Sequence, residues 1–236
     1  MIQLSEQPLP GKVGVHIWNI SLDNAVLDLP ELLSDDELSR YSKIKHHRAR
    51  TGFLRTRASL RLILANYLQC PGADLVFNYN ENGKPGLCQG SPGFLQFNLS
   101  HSGNYCLLVV TEKDEIGVDI EKLQPGRDFA ALAQRFFSVA EHRMIEESAD
   151  ELLFYRMWVL KEAAVKARGM KLLAGLDRFE CFTDENKKLQ IRDKLEHQAA
   201  GDCSIWQWQP ECGVVAAVVA RAEKISFEEK TLTSFV

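Results

Sequence analysis

Asp119 and Glu121 are separated by a single residue in IGVDIE, a segment whose apolar and polar positions alternate from 116 to 121. The alternation predicts a strand, on which both carboxylates share one face while Val118 and Ile120 point to the other. Paired acids at a strand end are commonly just solvated. The alternative is a hard-cation site, because Mg²⁺ takes a few carboxylates together with waters and substrate phosphate oxygens. A third carboxylate comes from YRMWVLKEAAVKARG, where Trp158, Glu162 and Lys166 fall at i, i+4 and i+8 and line one face of a predicted helix. Taken alone, Glu162 and Lys166 make a surface ion pair worth about 0.3–0.5 kcal/mol. Taken with the strand pair, Glu162 reaches a metal and Lys166 a phosphate.

A second polar group is Asn98-Leu99-Ser100-His101-Ser102, at a strand end beside Gly103-Asn104. Asn98 and Ser100 share a face, and His101 points the other way unless the strand has already ended. The chain has no G-x-S-x-G elbow, which leaves a nucleophilic hydrolase as a minor reading. It has neither a P-loop nor G-x-G-x-x-G. Its six cysteines form no C-x-x-C pair and read as ordinary thiols rather than a zinc site. From Arg40 to Arg61 the chain carries no acidic residue, although its net charge is −4. That run is either a solvated helix face or a local site for a phosphate-rich ligand. The overall charge does not call for nucleic acid.

These residues need elements to hold them. Ser34 and Glu37 form a capping-box signature. From there a helical pattern runs through the basic stretch to about Tyr67 and stops at Pro71-Gly72. Strands are expected at 13–20, 75–80, 94–102, 105–111, 116–121, 179–184, 189–193, 203–209 and 213–221, and helices over Phe129–Glu147 and Asp150–Arg168. Gly103-Asn104 is a tight hairpin signal. A long helix, FNYNENGKPGL and FNLSHSGNYCLLVV are followed later by a long helix, FTDENKKLQI and WQWQPECGVVAAVV. The repetition suggests a duplicated α+β unit with a pseudo-twofold axis and a ligand cleft between the halves, 1–111 and 112–236. A chance likeness of generic hairpins is the alternative. The N-terminal residues lack a signal-peptide pattern, and no apolar run is long enough to span a membrane. A cytoplasmic monomer is expected.

Together, Gly83-Lys84-Pro85, Asn98-x-Ser100-His101-Ser102, Gly117-Val-Asp119-Ile-Glu121, Phe137-Ser138 and Trp158-x-x-Lys161-Glu162-Ala-x-x-Lys166 resemble the blocks of the phosphopantetheinyl transferase superfamily. Length and two-half organisation are similar to its surfactin-synthetase-activating (Sfp-like) branch. The resemblance covers residues from about 40 to 170, and the last 60 or so match only by strand pattern.

The resemblance implies the 4′-phosphopantetheinyl transferase fold and transfer of phosphopantetheine from coenzyme A to a serine of an apo acyl or peptidyl carrier protein. It also implies Mg²⁺ on Asp119, Glu121 and Glu162, with Asp119, Glu162 and Lys166 carrying the chemistry. Glu162 would take the serine proton, directly or through a water on the metal. Coenzyme A would meet Arg48, Lys84, Pro85, Asn98, Ser100, His101, Lys161 and Lys166. Arg48 would reach the 3′-phosphate, ahead of Arg50 and Arg57. Lys161 is less certain, since it lies about 100° round the helix from Glu162. The apolar stretch Phe129–Phe137 is either a carrier-docking surface or core. A non-catalytic coenzyme-A-binding module is the alternative function.

Overall fold

The computed structural model describes residues 8–11, 14–88, 95–112, 115–124, 126, 128–148, 150–196, 203–222 and 225–232. Val13 and Phe94, which begin two of the expected strands, lie outside these, as do residues 1–7. Strands are β1 (Gly14–Ser21), β2 (Phe77–Tyr79), β3 (Pro85–Leu87), β4 (Gln96–Ser102), β5 (Tyr105–Thr111), β6 (Ile116–Lys122), β7 (Phe179–Thr183), β8 (Leu189–Asp193), β9 (Ser204–Trp208), β10 (Val214–Ala220) and β11 (Ser226–Thr231). Helices are α1 (Asp35–Lys43), α2 (His47–Leu68), α3 (Phe129–Phe136), α4 (Val139–Ser148), α5 (Glu151–Ala167) and α6 (Leu172–Gly175). None of the described helices is long and apolar enough to cross a membrane.

Ser34 caps α1 through the expected box with Glu37, but the long helix drawn from there to Tyr67 is two helices broken at Ile44–His46. The reason lies in Glu37. Its carboxylate takes Arg61 at 2.7 Å and pairs with Arg57. Residues 37 and 61 would stand ~36 Å apart on a straight helix, so the chain must turn for them to meet. The helix expected over 129–147 divides in the same way. Ser138 and Glu141 form a second capping box at the start of α4, with Ser138 N–H donating to Glu141 at 2.7 Å.

The sheets run β11-β1-β5-β4 and β6-β10-β9, with two short hairpins, β2-β3 and β7-β8. Strand order β1-β5-β4 in the first sheet is matched by β6-β10-β9 in the second. Each sheet is followed by the same sequence of long helix, short hairpin and two strands. Gly14-Val-His-Ile-Trp18 in β1 matches Gly117-Val-Asp-Ile-Glu121 in β6 position for position. The fold is thus α+β, with the duplication legible in connectivity.

Alternation within the strands makes the layers. Val15, Ile17, Leu107 and Val109 of the first sheet pack on Val118, Ile120, Val214, Ala216 and Val218 of the second. The opposite faces receive the helices: Trp18, Ile20 and Leu108 meet Leu60, Ile63 and Leu64 of α2, while Val215, Ala217 and Val219 meet Val159, Ala163 and Ala164 of α5. β11 was not anticipated from the sequence. Its SFEEKT is half charged and mostly exposed, the composition of an edge strand. It pairs in parallel with β1, so the last described strand completes the sheet of the first half. Phe227 of β11 also lies 5.5 Å from Trp206 of β9.

Candidate active site

Edge strands β4 and β6 of the two sheets lie side by side, joined through side chains. Asn98, Ser100 and Ser102 recur every second residue, so all three face β6. Asn98 Oδ1 accepts from Val118 N–H at 2.9 Å, and Ser102 Oγ accepts from Lys122 N–H at 3.1 Å. Two edge N–H groups that a neighbouring strand would otherwise satisfy are thereby paired. Ser100 Oγ donates to Asp119 Oδ1 at 2.7 Å, and Ser102 Oγ donates to Glu121 Oε2 at 2.8 Å.

With Val118 and Ile120 in the core between the sheets, Asp119 and Glu121 face α5 as the alternation requires. Gly117 lets the helix close in: a Cβ there would overlap Ala163 O and Ala167 N. Glu162 and Lys166, one turn apart, then reach the strand. Asp119, Glu121 and Glu162 each offer an oxygen within 4.8 Å of the others. Lys166 Nζ sits 2.5 Å from Asp119 Oδ1, 3.5 Å from Glu162 Oε2 and 3.0 Å from Ser100 Oγ.

Asp119 and Glu162 are 2% and 7% exposed. Burial first, and then the charge of Asp119, push the Glu162 carboxyl up to about 8. Burial works against the Lys166 ammonium, but the Asp119 and Glu162 charges outweigh it and hold its pKa above the ordinary lysine value. His101 is on the other face of β4 from Ser100, yet it senses the same cluster: burial and the Lys166 charge lower its imidazole pKa. Asp119 Oδ2 is buried and has no hydrogen-bond partner among the described residues. An all-carboxylate donor set with an orphaned buried oxygen fits a hard divalent cation, which takes oxygen ligands and offsets the repulsion of gathered acids.

Lys84 and Pro85 stand at the end of α5. Lys84 Nζ donates to Ile116 O at 3.0 Å and Ala167 O at 3.1 Å, and its burial lowers the ammonium pKa to about 8. Asn80 and Asn82 donate to Gly169 O at 2.8 and 2.9 Å, so the β2-β3 hairpin grips the helix C-terminus. Between hairpin and helix lies a cavity of about 320 Å³, lined by Lys84, Pro85, Asn98, Leu99, Lys166 and Met170 among others. Within the basic run, Arg55 is tied to Asp28 and Arg57 and Arg61 to Glu37, while Arg50 lies over the Tyr41 ring. Arg48 is exposed and has a neutral partner, Asn104 Oδ1 at 3.0 Å. It lines a hollow of about 290 Å³ with His47, Thr51, Arg55 and Gly103.

One expectation changes, and one open alternative is narrowed. Lys161 does not join the cluster: it is 1% exposed, and its Nζ lies 3.0 and 2.8 Å from the two oxygens of Glu141. The 100° step round the helix that separates it from Glu162 turns it into the core. Phe129 and Phe137 are also core, packed on Phe154 at 5.1 and 5.3 Å. Of that stretch's phenylalanines, Phe136 is the half-buried one, 5.6 Å from Trp158. Sequence reasoning named Ser102 and Gly117 within its blocks but gave neither a role, and it gave none to the two hairpin asparagines. Ser102 had a further signal in its spacing, two residues beyond Ser100. For Gly117, periodicity carries no mark of a close helix approach.

Comparison with known proteins gives a single direction. Residues 115–219 match the 4′-phosphopantetheinyl transferase superfamily, and residues 18–113 match an N-terminal domain described as 4′-phosphopantetheinyl transferase. The chain is 35% identical over 211 residues to the 4′-phosphopantetheinyl transferase HetI of Nostoc sp., covering 86% of each protein. It is 32% identical over 183 residues to the 4′-phosphopantetheinyl transferase ffp of Bacillus subtilis, covering 76% of each. It is also 43% identical over 112 residues to the 4′-phosphopantetheinyl transferase AcpT of Salmonella typhi, covering 46% of this chain and 56% of that one.

Proposed function

The chain belongs to the 4′-phosphopantetheinyl transferase superfamily, and we propose that the cleft between β4, β6 and α5 is where it carries out the transfer. The enzyme moves the 4′-phosphopantetheine group of coenzyme A to a serine hydroxyl of an apo carrier protein. The serine oxygen forms a bond to the phosphorus that carries pantetheine, the bond from that phosphorus to the bridging oxygen breaks, and 3′,5′-ADP leaves. The gathering of Asp119, Glu121 and Glu162 within 4.8 Å is the observation that carries this reading.

Those three residues would hold Mg²⁺, which supplies charge neutralisation at the pyrophosphate. Lys166, beside Asp119 and Ser100, is placed to bind a phosphate oxygen. Glu162 is the group to accept the serine proton, directly or through a water on the metal. His101 would meet coenzyme A from the opposite face of β4. The hairpin cavity at Lys84 and Pro85 takes part of the ligand, and Arg48 at the far end of β4 receives the 3′-phosphate. Asn98 serves by holding the edge of β6. In this reading the halves, 1–111 and 112–236, make one cytoplasmic monomer with a single coenzyme A cleft. The carrier, an acidic helical domain, docks where Phe136, Arg135 and Val139 reach the surface beside Trp158, one turn before Glu162.

Intact mass spectrometry of an apo acyl carrier protein incubated with this protein, coenzyme A and Mg²⁺ tests the reading. A gain of one phosphopantetheine, lost in EDTA, is expected. No gain with acyl and peptidyl carriers alike, despite measured coenzyme A binding, would favour a non-catalytic binding module.

A further inference from the structure

The Glu141 carboxylate gathers the start of α4, the middle of α5 and β7 on two oxygens. It accepts from Lys161 Nζ, from Ser138 N–H at 2.7 Å and from Cys181 N–H at 2.7 Å. Glu141 is 0% exposed, and the Lys161 ammonium lies 4.9 Å from the Phe137 ring centre. A buried ion pair is a poor way to gain stability, because apolar residues of the same volume do as well. What such a pair does supply is position, since donor and acceptor meet in only one register.

The hairpin holds the C-terminal end of α5 through Lys84 to Ala167 O and Asn80 to Gly169 O, and the buried pair sets the register of its middle, one residue from Glu162. The helix packs on the second sheet through Val159, Ala163 and Ala164 against Val215, Ala217 and Val219, and closes on Gly117. Small, smooth side chains offer little to stop a helix sliding or turning. A slip of one residue moves a helix 1.5 Å and 100°, enough to take Glu162 and Lys166 away from Asp119. We propose that Lys161, through Glu141, is a positioning residue for the reaction: it fixes the rotation and axial setting of α5, and with them the third carboxylate and the phosphate-binding lysine. This inference rests on the proposed active site.

The first half contains the same device without the chemistry. Ser34 and Glu37 form the capping box before α2, and Arg61 in the middle of α2 donates to Glu37 Oε2 at 2.7 Å. Arg61 is followed by Leu62 where Lys161 is followed by Glu162. It therefore provides an internal control for an effect of stability alone.

The test compares Lys161→Met/Glu141→Gln, which removes both charges together, with Arg61→Met/Glu37→Gln, each assayed below its own melting temperature. Affinity for Mn²⁺ is read by electron paramagnetic resonance without turnover, and kcat, the KM for coenzyme A and the Mg²⁺ half-saturation by carrier modification. The first variant should lose about 10–100-fold in metal affinity and kcat, as when the support of metal ligands is removed, with any rise in the KM for coenzyme A accompanying the loss of metal affinity. Lys161→Arg should recover part of the loss. The second variant should melt earlier yet keep wild-type metal affinity. Wild-type metal affinity and kcat in the folded Lys161→Met/Glu141→Gln protein would overturn the proposal. So would a raised KM for coenzyme A with metal affinity unchanged, which would make Lys161 a substrate contact. Absence of carrier modification by the wild type would instead count against the assigned function, leaving the Mn²⁺ measurement to decide on Lys161.

Discussion

Without metal, the acidic cluster should make the protein less stable than a variant with one carboxylate fewer. Glu162 is held at about 8 in the folded chain, against an ordinary value of 4.5. An acid whose folded pKa is raised contributes its full stability below the unfolded value and loses it as pH rises toward the folded one. For Glu162 that window runs from 4.5 to about 8. At pH 7 the difference from the unfolded chain is ~2.5 pH units, worth on the order of 3 kcal/mol. Glu162→Gln keeps the shape and removes the titration. In EDTA at pH 7 it should therefore melt higher than wild type, by roughly 6–12 °C for a chain of this size. Mg²⁺ should raise the wild-type melting temperature and leave the variant nearly unmoved. Thermal unfolding followed by circular dichroism, with EDTA or Mg²⁺ and from pH 5 to 8, reads both effects. A variant that melts lower than wild type in EDTA, or that still gains from Mg²⁺, would refute the claim that the three carboxylates repel until an ion joins them.

Gly117→Ala would force a methyl group against Ala163 O and Ala167 N. It should cost about 1–3 kcal/mol and at least tenfold in kcat, and a wild-type denaturation midpoint would show that α5 does not depend on that close approach. Arg48→Ala should weaken coenzyme A binding about tenfold, a charge-assisted hydrogen bond's worth, while sparing dephospho-coenzyme A in calorimetry. Equal losses for the two ligands would place Arg48 away from the 3′-phosphate. Buried His16, 3.2 Å from Glu228, has its imidazole held at about 4 by burial and by Lys230. Because the unfolded chain takes up its proton first, stability should fall by about 3 kcal/mol from pH 6.5 to 4. Urea midpoints should show that slope flattened in His16→Gln, and an unchanged slope would remove His16 as its cause.

Local periodicity made the reacting groups legible. Asp119 and Glu121 had to share a strand face, and Glu162 and Lys166 a helix face, so their convergence needed only that the strand and helix be neighbours. Long-range pairing is where the sequence became opaque. Nothing beside Lys161 announces that its partner is Glu141, 20 residues earlier, on the far side of a helix boundary that the sequence does mark. The basic run misleads for the same reason: Arg55, Arg57 and Arg61 find their acids 20 to 27 residues back, whereas Arg48 meets a neutral group, Asn104. β11 has too little apolar alternation to read as a strand, and its place is fixed by β1 rather than by its own composition.

That last strand bears on how the protein is made. Asn19 on β1 donates through its side chain to Lys230 O across 211 residues, so the first sheet cannot close its edge until residues 226–231 have left the ribosome. During synthesis β1 presents an open parallel-pairing edge, and closing so long a loop is slow. The strands and helix that gather Asp119, Glu121 and Glu162 are complete earlier in synthesis. Consolidation of the first sheet should therefore wait for residues 226–231, and a chain stopped short of residue 226 should depend on chaperones to stay soluble even though the proposed catalytic groups are all present.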